Sequence, residues 1–195
     1  MKLKRKKGAF KKQARESLNY FRESRQFIYA VILIFLASAL FGVIFSNNLG
    51  FIDKYLKEIV DKVSGLSVGG LILFILQNNI QSAFFGLLLG IVLGIFPVIT
   101  SIVNGVIIGY VMKGVWLNSG FGDFWRILPH GVFELPAVFI SLALGLRLGM
   151  FIFSNEKRKE LVYRLKNSLV IFFMIVLPLL IVAAIIEGIL IMLYK

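Results

Sequence analysis

The stretch from Gly69 to Val115, GGLILFILQNNIQSAFFGLLLGIVLGIFPVITSIVNGVIIGYVMKGV, carries no charged residue until Lys113. A helix rises about 1.5 Å per residue, so about twenty apolar residues cover a hydrocarbon core of about 30 Å. The run is therefore long enough to cross a bilayer twice. Proline interrupts the helical hydrogen-bond ladder, so Pro97 is expected to divide the run into spans over residues 69–96 and 98–115. The first of these holds Gln77-Asn78-Asn79-Ile80-Gln81-Ser82 and exceeds what a bilayer needs, which predicts a broken or over-long second span.

Three more apolar runs flank this pair, over residues 27–46, 127–150 and 168–193, the last containing Pro178 and Glu187. The expected fold is all-α: a polytopic membrane helix bundle of about five transmembrane helices. Composition agrees. Of 195 residues 58% are hydrophobic and only 16% charged, with a mean hydropathy of +0.88. Soluble domains average about half apolar and about a quarter charged, so a bilayer has to supply the solvent for the excess. The chain has no cysteine, which excludes disulfides and thiolate metal sites.

Two regions follow from this division, a basic arm over residues 1–26 and a transmembrane domain over residues 27–195. The arm holds Lys2, Lys4, Arg5, Lys6, Lys7, Lys11, Lys12, Arg15, Arg22 and Arg25 against Glu16 and Glu23. Phe10, Ala14, Leu18 and Phe21 recur at helical spacing, as expected of an amphipathic helix on anionic lipid headgroups; an arm that only enforces orientation is the other reading. A cleaved signal peptide is disfavoured by the length of the first apolar run and its lack of a small-residue cleavage pattern. Between spans four and five a second basic segment carries Lys157, Arg158, Lys159, Arg164 and Lys166. The net charge of +12 thus sits beside hydrophobic segments, where it sets topology, and nucleic acid is not the expected partner. Both basic segments fall on one side, because four crossings separate them. The expectation is a multi-pass protein of the cell membrane, amino terminus cytoplasmic and carboxyl terminus outside. The segment over residues 47–68 is read as a surface helix with Ile52, Leu56, Ile59, Val60 and Val63 on its apolar side, and Trp116, Phe121, Phe124 and Trp125 as an interfacial belt.

Against this background a few polar residues stand out. Leu128-Pro129-His130-Gly131-Val132-Phe133-Glu134-Leu135 places the one histidine and a carboxylate inside apolar sequence. Ionisable groups in lipid are costly and usually face protein or a wet cavity. His130 and Glu134 are four residues apart and share a helical face. By helical rise, Asn78, Asn79, Asn104, His130, Glu134 and Glu187 fall in the outer half of the bilayer, so a shared intramembrane polar site is expected. Such a group can bind a cation or relay a proton; the structural alternatives are a helix cap at His130 and hydrogen bonds from Glu134 to Asn78 or Asn104. Lys113 and Arg126 are candidate counter-ions, and Arg147 is expected to snorkel toward the headgroups. Catalysis is not expected: one histidine cannot make a zincin motif, and no nucleophile elbow or phosphate loop is present. No cofactor or metal is implied.

Glycines recur four apart at Gly86, Gly90 and Gly94, at Gly105 and Gly109, and at Gly145 and Gly149. Small residues at this spacing let helix backbones approach, either within the chain or across a homodimer.

Together these elements resemble the stage II sporulation protein M family. The resemblance rests on Asn78-Asn79 before the Gly86, Gly90, Gly94 helix, on Asn104-Gly105 with Gly109, and on Leu128 to Leu135 with Gly145. It implies a five-span membrane protein that serves peptidoglycan-degrading partners as their membrane component rather than as the hydrolase. It also implies Asn78, Asn104, His130 and Glu134 as the characteristic polar constellation. The function expected is a non-enzymatic scaffold for cell-envelope partners, the alternative a small transporter or channel for a cation, proton or small polar solute.

Overall fold

Uninterrupted apolar runs with few helix breakers can satisfy their backbone in lipid only as helices or closed barrels, and this chain takes the first route. The computed structural model describes the backbone of residues 2–119 and 124–193 and the side chains of residues 11–117 and 131–193. The helices are α1 (Lys2–Glu23), α2 (Arg25–Ile44), α3 (Phe51–Val63), α4 (Val68–Leu88), α5 (Ile95–Ser119), α6 (Phe124–Gly149), α7 (Lys157–Ile171) and α8 (Leu177–Leu193), with no strand among the described residues. Among the described residues, five stretches are long and apolar enough to cross a bilayer: Arg25–Ile44, Val68–Ile91, Ile95–Leu117, Gly131–Phe153 and Lys157–Leu193. The protein is a multi-pass membrane helix bundle. Helix α3 occupies the segment between the first two spans and buries Ile52.

Two boundaries differ from the sequence reading. The division between spans two and three falls at Val92–Gly94, not at Pro97. There a 3-10 turn, Leu89–Ile91, ends the second span, and Leu93 and Gly94 adopt positive φ of 56° and 71°. Glycine takes that conformation without a Cβ clash. Pro97 instead lies in the first turn of α5, where its missing N–H has no intrahelical acceptor to lose. The polar run over residues 77–82 stays regular α-helix. The second difference concerns span five. Its helix begins at Lys157, eleven residues before the apolar run, because Lys, Arg, Glu and Leu are good helix formers and Glu160 pairs with Arg164 at 2.7 Å. A π-helical turn, Phe172–Val176, joins α7 to α8 just before Pro178. Proline at 178 cannot donate to the preceding turn, and the wider turn accommodates it.

Helix α6 is the centre of the bundle, with half of its apolar span buried against 22% for α2. One core cluster joins Ala83 and Leu87 of α4, Leu144 and Leu148 of α6, Val176 of the π-helical turn and Leu180 of α8. Another joins Val31 of α2 to Leu142 and Ala143 of α6. Hydroxyls tie the helices directly: Ser101 of α5 donates to the Val31 carbonyl at 3.1 Å, and Ser141 of α6 to the Ala83 carbonyl at 2.7 Å.

The glycine faces are used inside the chain. A Cβ on Gly109 would collide with the Ala39 carbonyl, and one on Gly105 would lie 2.5 Å from the Phe35 carbonyl, both on α2. A Cβ on Gly90 would strike the Gly145 carbonyl, and one on Gly149 the backbone at Gly94. Gly86 meets Leu142, and Gly94 meets Leu146. Of the two roles open to these glycines, they fill the intrachain one. Gly42 of α2, outside the spaced motifs, packs against the Val106 carbonyl in the same way.

Candidate functional site

Register on the helices decides which polar residues meet. Helices α4 and α6 run parallel, with Ala83 beside Ser141 and Gly86 beside Leu142 and Gly145. Residues separated by four or seven positions share a helix face. Asn79 lies one turn before Ala83, on the face that also buries Leu71, Ile75 and Leu87. Glu134 lies two turns before Ser141, on the face that meets α4. On α8, Glu187 follows Leu180, Ala183 and Ala184 on the buried stripe, and its neighbour Gly188 packs on Ile72 of α4. Asn79, Glu134 and Glu187 are thus turned toward the junction of α4, α6 and α8, within a few turns of each other. Each has a polar side-chain atom shielded from solvent: Nδ2 of Asn79, Oε2 of Glu134 and Oε2 of Glu187. The Asn79 Nδ2 has no hydrogen-bond acceptor among the described residues.

Of the other expected members, Asn78 lies on a different face. Asn78 is one residue from Asn79, but a helix turns about 100° per residue. It is exposed and lines a cleft of about 320 Å³ between α4 and α5, with Gln81, Ser82 and Thr100. Asn104 is half-buried on α5, two turns after Pro97, the residue that meets Gly145 of α6. The structural alternative of a hydrogen bond between Glu134 and Asn78 is not formed among the described residues, since Asn78 faces the α4–α5 cleft. His130 lies within α6, but its side chain, like those of Arg126, Phe121, Phe124 and Trp125, is outside the described residues. Lys113 is half-buried near the end of α5.

A second polar cluster at the basic end of the bundle escaped the sequence reading. Arg147 does not snorkel freely; it closes the α1–α2 junction. Its guanidinium donates to the Tyr20 carbonyl, to Ser24 Oγ at 2.9 Å and to Glu23 at 2.9 Å, and lies 3.8 Å above the Tyr20 ring. A cation on terminal carbonyls is favourable at the carboxyl end of α1. Arg164 of α7 donates to the Arg147 carbonyl at 2.6 Å. Farther along α1, Ser17 and Gln13 both donate to Asn167 Oδ1, at 2.8 and 3.1 Å. Burial pushes the Tyr20 hydroxyl above its ordinary pKa, against the lowering effect of Ser168 and Arg147. Far from lying only on lipid, the arm is docked on α7, which gathers both basic segments at one end. The one sequence signal was Arg147 itself, a charge at the end of an apolar run.

No curated protein and no solved structure matches the chain. The family model of stage II sporulation protein M matches residues 31–190, which covers the five spans almost entirely. With that match over most of its length, the chain belongs to the stage II sporulation protein M family.

Proposed function

We propose that this protein is a non-enzymatic membrane scaffold for cell-envelope partners, held in the cell membrane with its amino terminus in the cytoplasm and its carboxyl terminus outside. The observation that carries this reading is the backbone-on-backbone packing of α2 with α5 and of α4 with α6. Close-packed helices resist the rocking that alternating access requires. They suit a part that presents fixed surfaces. The docked arm adds a rigid basic platform, and its charge agrees with a cytoplasmic placement. The partners are membrane or cell-envelope proteins, with anionic headgroups beneath the platform.

Co-purification in mild detergent, with a thermal shift on the same sample, tests this reading. Glu134→Gln is expected to lower either the thermal transition or the retention of envelope partners. Unchanged behaviour in both measurements overturns the reading. A transporter or channel is the second reading, favoured by the buried polar atoms of Asn79, Glu134 and Glu187 where α4, α6 and α8 meet. It requires cation or proton flux in proteoliposomes between pH 5 and 8 that collapses in Glu134→Gln.

A further inference from the structure

Helix α4 carries more polar surface than the interior uses. While Asn79 is buried, Gln77, Asn78 and Gln81 are all exposed and Ser82 is half-buried. Asn78 is ten residues from the start of α4, about 15 Å by helical rise and so near the middle of a hydrocarbon core of about 30 Å. Three exposed carboxamides at that depth are solvated poorly by acyl chains, which offer neither donors nor acceptors. Beside them the α4–α5 cleft exposes Phe85 and Phe96 as apolar knobs at its lower end. The glycine faces are already occupied by α2, α5 and α6, so they provide no second seam.

We infer that the exposed carboxamide face of α4, Gln77, Asn78 and Gln81 with the adjoining α4–α5 cleft, is the interface to a second copy of this chain. A carboxamide is both donor and acceptor, so the same patch is complementary to itself across a two-fold axis. Amide pairs of this kind hold transmembrane helices together. A carboxylate or cationic partner would call for an opposite charge in the cleft, whose lining residues Asn78, Gln81, Ser82, Phe85, Phe96 and Thr100 carry none. The dimer seam thus lies on amides, not on the glycines where the sequence pattern offered one. This inference stands apart from the scaffold reading, because a chain that is monomeric can still retain envelope partners.

The chain has no cysteine, so single substitutions report cleanly. Asn78→Cys and Gln81→Cys, oxidised in native membranes, are compared with Leu36→Cys on the exposed side of α2. A crosslinked species of twice the chain mass, at least fivefold above the Leu36→Cys control at either α4 position, is expected. In nanodiscs the unmodified chain is expected to be dimeric, and the double variant Asn78→Leu with Gln81→Leu to weaken the dimer at least tenfold while keeping its thermal transition. Leucine on an outer face leaves the interior untouched, so loss of the dimer without loss of the fold isolates the interface. Crosslinking no better than the control, or a monomeric chain in nanodiscs, overturns the inference. So does an adduct of another mass, which assigns the face to an unlike partner.

Discussion

Replacing Gly145 by alanine adds one methyl group where α4, α5 and α6 meet. The new Cβ would lie 2.7 Å from the Gly86 carbonyl oxygen, 2.9 Å from Leu87 Cα and 2.9 Å from Pro97 Cγ. Ordinary contact begins at 3.4 Å, so all three neighbours have to retreat. Two of them are backbone atoms of α4, and the third is a ring that cannot change rotamer. The helices must separate, and that opens the Gly90 and Gly149 contacts on the same seam. Overpacking of a filled interior costs about 1–3 kcal/mol. Gly114→Ala is the matched control: nothing lies within 4 Å of its Cβ, and alanine favours the helix by about 0.8–1 kcal/mol. Reversible unfolding in mixed micelles, titrated with a denaturing detergent, measures both. Gly145→Ala is expected to be destabilised by about 1–3 kcal/mol and Gly114→Ala to be unchanged or more stable. Equal stability of the two variants would refute the argument that backbone contact sets the bundle.

Other consequences are as direct. Arg147→Ala removes charge-assisted hydrogen bonds that contribute about 1.5–3 kcal/mol, and amide exchange across residues 11–23 is expected to quicken at least tenfold; unchanged protection would show that the arm docks without it. The exposed Glu23 end of that ion pair contributes little, so Glu23→Gln should leave exchange nearly as it is. Because burial raises the folded pKa of Tyr20, its neutral form is favoured in the docked arm, and that contribution is complete below the ordinary value of 10.0 and lost as pH rises through the raised one. Arm protection should fall above that pH in the parent and persist in Tyr20→Phe; identical profiles would contradict this. Asn79→Leu removes a buried donor that has no acceptor among the described residues, so the thermal transition should hold or rise, and a marked fall would mean the amide is held by a group within the site. In intact cells Lys57→Cys should react with a membrane-impermeant thiol reagent, and Lys12→Cys and Arg158→Cys only after lysis; the reverse pattern would invert the proposed orientation.

The five spans were legible because runs of eighteen or more apolar residues have few alternatives in physical terms. The break between spans two and three was misplaced because proline reads as a breaker, although the first turn of a helix tolerates it and a left-handed glycine is the better hinge. Asn78 and Asn79 illustrate a second limit. They are chemically alike and adjacent, yet one enters the core and the other leaves it, and only the neighbours of α4 determine which. Glu134 and Glu187 were recognisable as costly residues, but their convergence on α4 came from register between helices set by Ser141 and Gly188. The Arg147 cluster was least visible, since it joins Arg147 to Ser24 across 123 positions in the chain.

Helices α4 and α6 lie side by side in one register, which turns Asn79 and Glu134 to the same junction. Ser141 Oγ is 2.7 Å from the Ala83 carbonyl, and both side chains are small. The paired variant Ala83→Cys with Ser141→Cys, oxidised in native membranes, is expected to form an intramolecular disulfide far faster than Leu73→Cys with Ser141→Cys, since Leu73 is exposed on the other side of α4. Equal rates for the two pairs, or crosslinks only between molecules, would contradict it.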